Sequence, residues 1–219
     1  YVIDAGKKAV EAHIKRMNMP GEVSSLDNKS IYRVRFEVDD EEKISIIIPN
    51  KDHVDDLKKC INSILTRSTY SNYEIVVIEN NSTHTSIFNY YKKLEKHNKI
   101  KVIYYEGDFN YSRINNFAID SCNGKYLLFL NNDTEVITPE WLEEMVMFAR
   151  RDDVGAVGAK LLYPNNTIQH AGVVVGLGGV AGHVYPGFPR DAAGYFHRLR
   201  LVNDYGAVTG ACLMMKKED

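Results

Sequence analysis

Three short polar clusters hold the residue types that can bind a metal or a sugar phosphate. They are Pro49-Asn50-Lys51-Asp52, Glu79-Asn80-Asn81 and Asn131-Asn132-Asp133. The last is the most informative, because it ends the largely apolar run Tyr126-Leu-Leu-Phe-Leu130, which has the length and composition of a buried strand. In open α/β sheets, ligands bind outside the carboxyl ends of the strands. A hard cation such as Mg²⁺ is held there by one or two carboxylates together with substrate phosphates. Asp133 is therefore the first candidate metal ligand, and Glu79 suits hydrogen bonding to a base or a ribose. The same clusters also suit plain strand-to-loop turns, since Asn and Asp favour turns.

The elements that must position these residues alternate in type. An apolar strand over 44–48, closed by Pro49, precedes a helix over 54–66 whose Leu57, Cys60, Ile61, Ile64 and Leu65 form an i, i+3, i+4, i+7, i+8 stripe. A second strand over 74–78 leads to a helix carrying Ile87, Tyr91 and Leu94, then to a strand over 100–105 and a helix over 111–122. After the 126–130 strand, Thr138-Pro139 reads as an N-cap with Pro at the first helical position, opening a helix through Trp141, Met145 and Phe148. Such alternation implies a mostly parallel sheet with helices on both faces. All three polar clusters then fall on one sheet edge. Further strands are expected over 154–162, 168–175 and 207–215, with a Gly-, Pro- and aromatic-rich loop over 176–195 between them. Residues 1–42 read as a leading extension with a helix over 5–17 and an acidic end, Asp39-Asp-Glu-Glu42.

Composition excludes several classes. Lys and Arg number 27 against 29 Asp and Glu, so there is no basic footprint for nucleic acid. Cys60, Cys122 and Cys212 are too widely spaced for a disulfide framework and read as core residues of a protein from a reducing compartment. No run has the length of a membrane span. The turn after the first strand has no G-x-G-x-x-G and no phosphate-loop pattern, which disfavours a dinucleotide-dependent oxidoreductase. His170, His183 and His197 fit no compact ligand spacing and take ordinary polar or packing roles. Tyr185 and Tyr195 are the tyrosines suited to stacking on sugar faces. Arg190, Arg198 and Arg200 suit a phosphate or an anionic membrane surface, and Asp191 and Asp204 an approach to the site, but a solvated loop is the preferred reading for all five.

Seven short motifs occur in a fixed order: Ser45-Ile-Ile-Ile-Pro49, Tyr73-Glu-Ile-Val-Val-Ile-Glu-Asn-Asn-Ser82, Phe109-Asn-Tyr-Ser-Arg-Ile-Asn-Asn116, Gly124-Lys-Tyr-Leu-Leu-Phe-Leu-Asn-Asn-Asp133, Gly155-Ala-Val-Gly-Ala-Lys160, Ile168-Gln-His-Ala-Gly172 and Val208-Thr-Gly-Ala-Cys212. With these, the chain resembles the family 2 glycosyltransferases of GT-A fold, in the subgroup described as rhamnosyltransferase-like. The resemblance implies a GT-A domain over 43–219. It also implies transfer of a sugar, with inversion, from a UDP-, dTDP- or GDP-linked donor to a lipid-linked or polysaccharide acceptor in cell-surface polysaccharide biosynthesis. Pro49, Asn50, Lys51, Glu79, Arg113, Asn115 and Asn132 are then expected at the donor nucleotide. Asp133 and Asn131 are expected at Mg²⁺ or Mn²⁺, and Thr209, Gly210 and Ala211 beside the donor sugar or acceptor. Asn131 departs from the acidic residue that opens the family's D-x-D pattern. The family's acidic pair, which supplies the general base, is expected beyond Asp219, so the domain reads as incomplete at its C-terminus. The expected setting is cytoplasmic, with peripheral association of the parent protein at the inner membrane face. Two other readings compete: a non-catalytic nucleotide-sugar-binding module, and a sugar nucleotidyltransferase, which lacks here its glycine- and basic-rich first loop.

Overall fold

The computed structural model describes residues 1–27, 29–38 and 42–218. The chain opens with α1 (Val2–Arg16) and an antiparallel hairpin of β1 (Gly21–Ser25) and β2 (Tyr32–Phe36). There follow β3 (Ile44–Asn50), α2 (Val54–Arg67), β4 (Tyr73–Glu79), α3 (Thr85–Leu94), β5 (Ile100–Tyr104), α4 (Tyr111–Ile119), β6 (Tyr126–Leu130) and α5 (Trp141–Ala149). The remainder carries short strands, β7 (Val157–Gly158), β8 (Leu161–Leu162), β9 (Ile168–His170), β10 (Val173–Val175) and β11 (Ala181–His183), and then β12 (Cys212–Lys216).

The central sheet has the order β5-β4-β3-β6-β12-β7. Its first four strands are parallel, and β12 runs antiparallel to both β6 and β7. β3 and β4 are Ile- and Val-rich because both of their faces are covered. On one face Ile46, Ile48, Ile75 and Val77 pack with Leu57, Ile61 and Ile64 of α2, Ile87 and Tyr91 of α3, and Leu142 and Val146 of α5. On the other, Ile47, Val76 and Ile78 meet Ile114 and Ala118 of α4. All three cysteines are buried free thiols. Burial pushes those of Cys60 and Cys212 up to about 12, which makes them inert core residues.

β3 does not stop before Pro49, as the sequence suggested, but continues through it to Asn50. The Asn50 carbonyl accepts from Asn80 N at 3.0 Å on the β4 side, so by alternation Pro49 faces β6. Pairing with β6 has already ended at Ile47, and the missing N–H costs no ladder bond. α5 also begins later than the Thr138-Pro139 pair implied. Thr138 to Trp141 forms a separate turn, with Glu140 in the N-cap position and no side-chain cap. The long strands expected after residue 152 are broken into short pieces, and the 176–195 loop contains β11, paired with β10.

The leading segment has partners that the sequence did not reveal. Tyr32 donates to the Ile3 carbonyl at 2.9 Å, Arg33 pairs with Glu144 of α5 at 2.6 Å, and the Phe36 and Phe148 rings meet edge to face. Of its acidic end, Asp39, Asp40 and Glu41 lie outside the described residues, while Glu42 accepts from Lys125 and Tyr126.

A buried polar clamp sits at the amino-terminal edge of the sheet. Glu74 Oε1 accepts from Ser45 Oγ at 2.7 Å and from Asn123 N at 2.6 Å, and Ser45 Oγ accepts from Gly124 N at 2.8 Å. Gly124 is required there, because a Cβ would stand 2.5 Å from Ser45 N. Burial alone would raise the Glu74 carboxyl. The Asn123 amide, Ser45 hydroxyl and Lys43 ammonium outweigh it and hold the group at about 2.

Candidate functional site

After β3 the chain lays β4 and β5 to one side and then returns to place β6 on the other. The crevice at this reversal of direction is where an open α/β sheet binds ligands. It brings together the ends of β3, β4 and β6, which are the three polar clusters of the sequence.

A hydrogen-bonded chain of side chains joins these ends. Asn132 Nδ2 donates to Asn50 Oδ1 at 2.6 Å, and Asn50 Nδ2 donates to Tyr91 OH at 2.8 Å. Tyr91 OH in turn donates to Glu79 Oε2 at 2.6 Å. Glu79 also accepts from Ser82 Oγ at 2.6 Å and from Ser82 N. Ser82 Oγ accepts from Asp52 N at 2.7 Å, and the Asp52 carboxylate accepts from Thr83 N and His84 N. These backbone amides, His84 N foremost, lower the Asp52 carboxyl below its ordinary value. Asp52 and His53 both take positive φ, the kind of backbone strain that concentrates at functional loops. Both Glu79 oxygens are thus engaged, and the group is buried. The neighbouring Lys51 is exposed.

Asp133 lies just beyond this chain of contacts. It is exposed and makes no hydrogen bond or ion pair among the described residues, so its carboxylate is available to an incoming cation. Asn131 is fixed mainly by its backbone, whose N–H donates to the Ala211 carbonyl at 3.0 Å and whose carbonyl accepts from Thr134 Oγ1 at 2.8 Å. Among the described residues no group of three His, Cys, Asp or Glu side chains forms a closed metal cage. One free carboxylate at a strand end instead fits a cation shared with substrate phosphates.

Antiparallel pairing explains why Thr209, Gly210 and Ala211 arrive here. Cys212 stands opposite Leu130, so the residues before β12 emerge on the edge where β6 ends. Tyr111, in the first turn of α4, donates to the Gly210 carbonyl at 2.8 Å and leaves no room for a Cβ there. α4 is capped by Asn110, whose Oδ1 accepts from Arg113 N at 3.0 Å. The Arg113 side chain is exposed. Asn115 is buried, donates to the Tyr111 carbonyl at 2.8 Å, and leaves Oδ1 without a partner among the described residues.

The connectors Tyr91, Ser82 and Tyr111 were not singled out from sequence as site residues. Tyr91 lies on the buried stripe of α3 and looks like an ordinary core residue until its hydroxyl is placed. Two of the histidines are paired, which their spacing did not show. His170 and His183 meet with their Nδ1 atoms 2.9 Å apart and their rings edge to face. Burial, with His183 beside it, pushes the His170 imidazole down to about 4.

The sequence profile described as glycosyl transferase family 2 matches residues 45–175. An uncharacterised protein of Sinorhizobium fredii, y4gI, is 41% identical over 100% of this chain. The O-antigen biosynthesis protein RfbC of Myxococcus xanthus is 40% identical over 98% of it. The chain spans 24% and 17% of these two relatives' lengths. Among solved structures, a mannosyltransferase from Pyrobaculum calidifontis in complex with GDP-Man and Mn²⁺ matches with a TM-score of 0.50, covering 75% of this chain and 45% of that one. At 16% identity that likeness is one of fold, and the fold is that of the GT-A glycosyltransferases. The chain belongs to glycosyl transferase family 2.

Proposed function

We propose that this domain binds a nucleoside-diphosphate sugar in the crevice between β3, β4 and β6 and transfers its sugar, with inversion, to an acceptor hydroxyl in polysaccharide biosynthesis. The observation that carries the reading is one juxtaposition. The free Asp133 carboxylate stands at the end of a side-chain relay, half-buried Asn132 and buried Asn50, Tyr91 and Glu79, that joins three strand ends. A donor laid across that edge would place its base towards Glu79 and its diphosphate towards Asp133. Glu79 would meet the base in exchange for the Ser82 hydroxyl, while Pro49, Asn50 and Lys51 line the pocket after β3 and Asn132 meets the ribose.

Asp133 would hold Mg²⁺ or Mn²⁺, assisted by Asn131, and the cation would neutralise charge developing on the leaving diphosphate. Arg113, exposed in the first turn of α4, supplies a cation towards the donor nucleotide, and Asn115 backs it from the buried side of the helix. Thr209, Gly210 and Ala211, held by Asn131 and Tyr111, border the sugar being moved. The name of the Myxococcus relative supports a polysaccharide setting, and the Mn²⁺ and GDP-Man of the Pyrobaculum complex support metal and nucleotide-sugar use. No helix among the described residues is long and apolar enough to cross a membrane.

The test is calorimetric titration with UDP, dTDP and GDP in the presence of Mn²⁺. The reading expects one diphosphate to bind at least about tenfold tighter than the others, a difference near 1.4 kcal/mol. Failure of all three to bind would contradict it.

A further inference from the structure

Beyond the loop at Thr209 lies a cavity of about 470 Å³ that is open to solvent on one side. Its walls are mostly apolar and aromatic and include Leu177, Tyr185, Phe188 and Tyr205, with His183 and Arg198 as the polar members. The aromatic walls are held in place. The Tyr185 and Phe188 rings meet edge to face at 5.4 Å, and Tyr185 has a φ of 55°, rare for a bulky residue. The Tyr205 ring lies against Gly172, where φ is 121° and a Cβ would come within 2.4 Å of the ring. Only glycine allows both.

The polar members are oriented as donors. His170 Nε2 faces Thr209 N at 3.5 Å and can only accept from it. The His170 proton is therefore on Nδ1, where it is donated to His183 Nδ1 at 2.9 Å. Neutral His183, which lines the cavity, then carries its own proton on Nε2. Arg198 is exposed and has no carboxylate partner among the described residues. Two neighbouring cations are engaged elsewhere, and Arg190, without a side-chain partner among the described residues, does not line the cavity. Arg200 pairs with Asp27, and Lys160 donates to the carbonyls of Arg190 and Leu199. One unpaired guanidinium amid aromatic faces suits a single carboxylate on a ring with C–H faces. It does not suit an anionic membrane, which is recognised by clusters of several basic residues.

We propose that this cavity is a saccharide subsite for a carboxylate-bearing sugar ring, one that stacks on Tyr185 and Tyr205, pairs bidentately with Arg198 and accepts from His183 Nε2. The acceptor role of that sugar rests on the glycosyltransferase reading above. The His183–His170–Thr209 contacts link the subsite to the loop beside the donor crevice. The motif Ile168-Gln-His-Ala-Gly172 thereby gains a physical account: His170 fixes the tautomer and Gly172 seats Tyr205.

Ligand-observed NMR with methyl glucuronide and methyl glucoside tests the proposal. The glucuronide should bind the wild-type protein in preference to the glucoside. Arg198→Ala should weaken it by about tenfold or more and remove the preference, and Arg198→Lys should restore part of it. Nucleoside diphosphate binding, titrated on the same samples, should be unchanged, and melting curves confirm folding. Three results would overturn the proposal: no saccharide binding, equal binding of both glycosides by wild type, or Arg198-dependent binding to phosphatidylglycerol vesicles without glucuronide binding. Nucleotide binding without glucuronide binding overturns this subsite alone, whereas loss of both also removes the donor-site reading.

Discussion

The substitution Tyr91→Phe removes one oxygen from the middle of the relay and leaves the ring and its packing in place. In the wild type that hydroxyl donates to Glu79 at 2.6 Å and accepts from Asn50 at 2.8 Å, in a fully buried position. A hydrogen bond to a charged group contributes about 1.5–3 kcal/mol and a neutral one about 0.5–1.5 kcal/mol. The lower end applies, because Glu79 keeps its Ser82 bonds and Asn50 keeps a contact with the Asp52 carbonyl. The expected loss is about 2 kcal/mol, or a fall of about 4–8 °C in melting temperature for a chain of this size. The ends of β3 and β4 also lose the Asn50–Tyr91–Glu79 joint, keeping those of Asp52 with Ser82, Thr83 and His84, and nucleotide affinity should fall about tenfold although Tyr91 has no access to solvent. Thermal denaturation and calorimetric titration of the same sample read both effects. A variant that melts within about 1 °C of wild type and binds nucleotide equally would refute the view that the relay sets the crevice.

Two further outcomes follow from the buried clamp and from the seat of Tyr205. Glu74 is held at about 2 in the folded protein against an ordinary 4.5, so its contribution is present above pH 4.5 and is lost as pH falls towards 2. That contribution is about 3 kcal/mol at most, and Glu74→Gln should flatten the acid limb of stability measured by denaturant titration between those pH values. Gly172→Ala introduces a strained φ and a clash with Tyr205, and should cost about 2 kcal/mol or more in denaturant unfolding. The double variant with Tyr205→Ala should cost less than the sum of the two single changes, which a double-mutant cycle would read.

The parallel core was legible because β3, β4 and β6 are apolar on both faces and the helices between them carry clean 3.6-residue stripes. Wherever one face of a strand lies against something irregular, the pattern fails. Ile168 and His170 are buried on β9 while Val174 and Val175 remain exposed on β10, so hydropathy joined two short strands into one long one. The hairpin of β1 and β2 was invisible for a related reason: its sequence, mixed in charge, is stabilised by Arg33 and Phe36 against α5, far along the chain. At the site, strand ends announced Asn50, Glu79 and Asp133, because topology alone brings them to one edge. Tyr91, Tyr111 and the His170–His183 pair depend on side-chain directions that no local pattern encodes.

The central claim is that Asp133 holds a cation through which the donor diphosphate binds. Titrating the preferred nucleoside diphosphate with Mn²⁺ and with EDTA, on wild type and Asp133→Ala, tests it most directly. The account predicts metal-dependent binding by wild type and a loss of about tenfold or more in the variant, with its melting temperature unchanged because Asp133 has no partner among the described residues to lose. Equal Mn²⁺-dependent affinity in wild type and Asp133→Ala would contradict it.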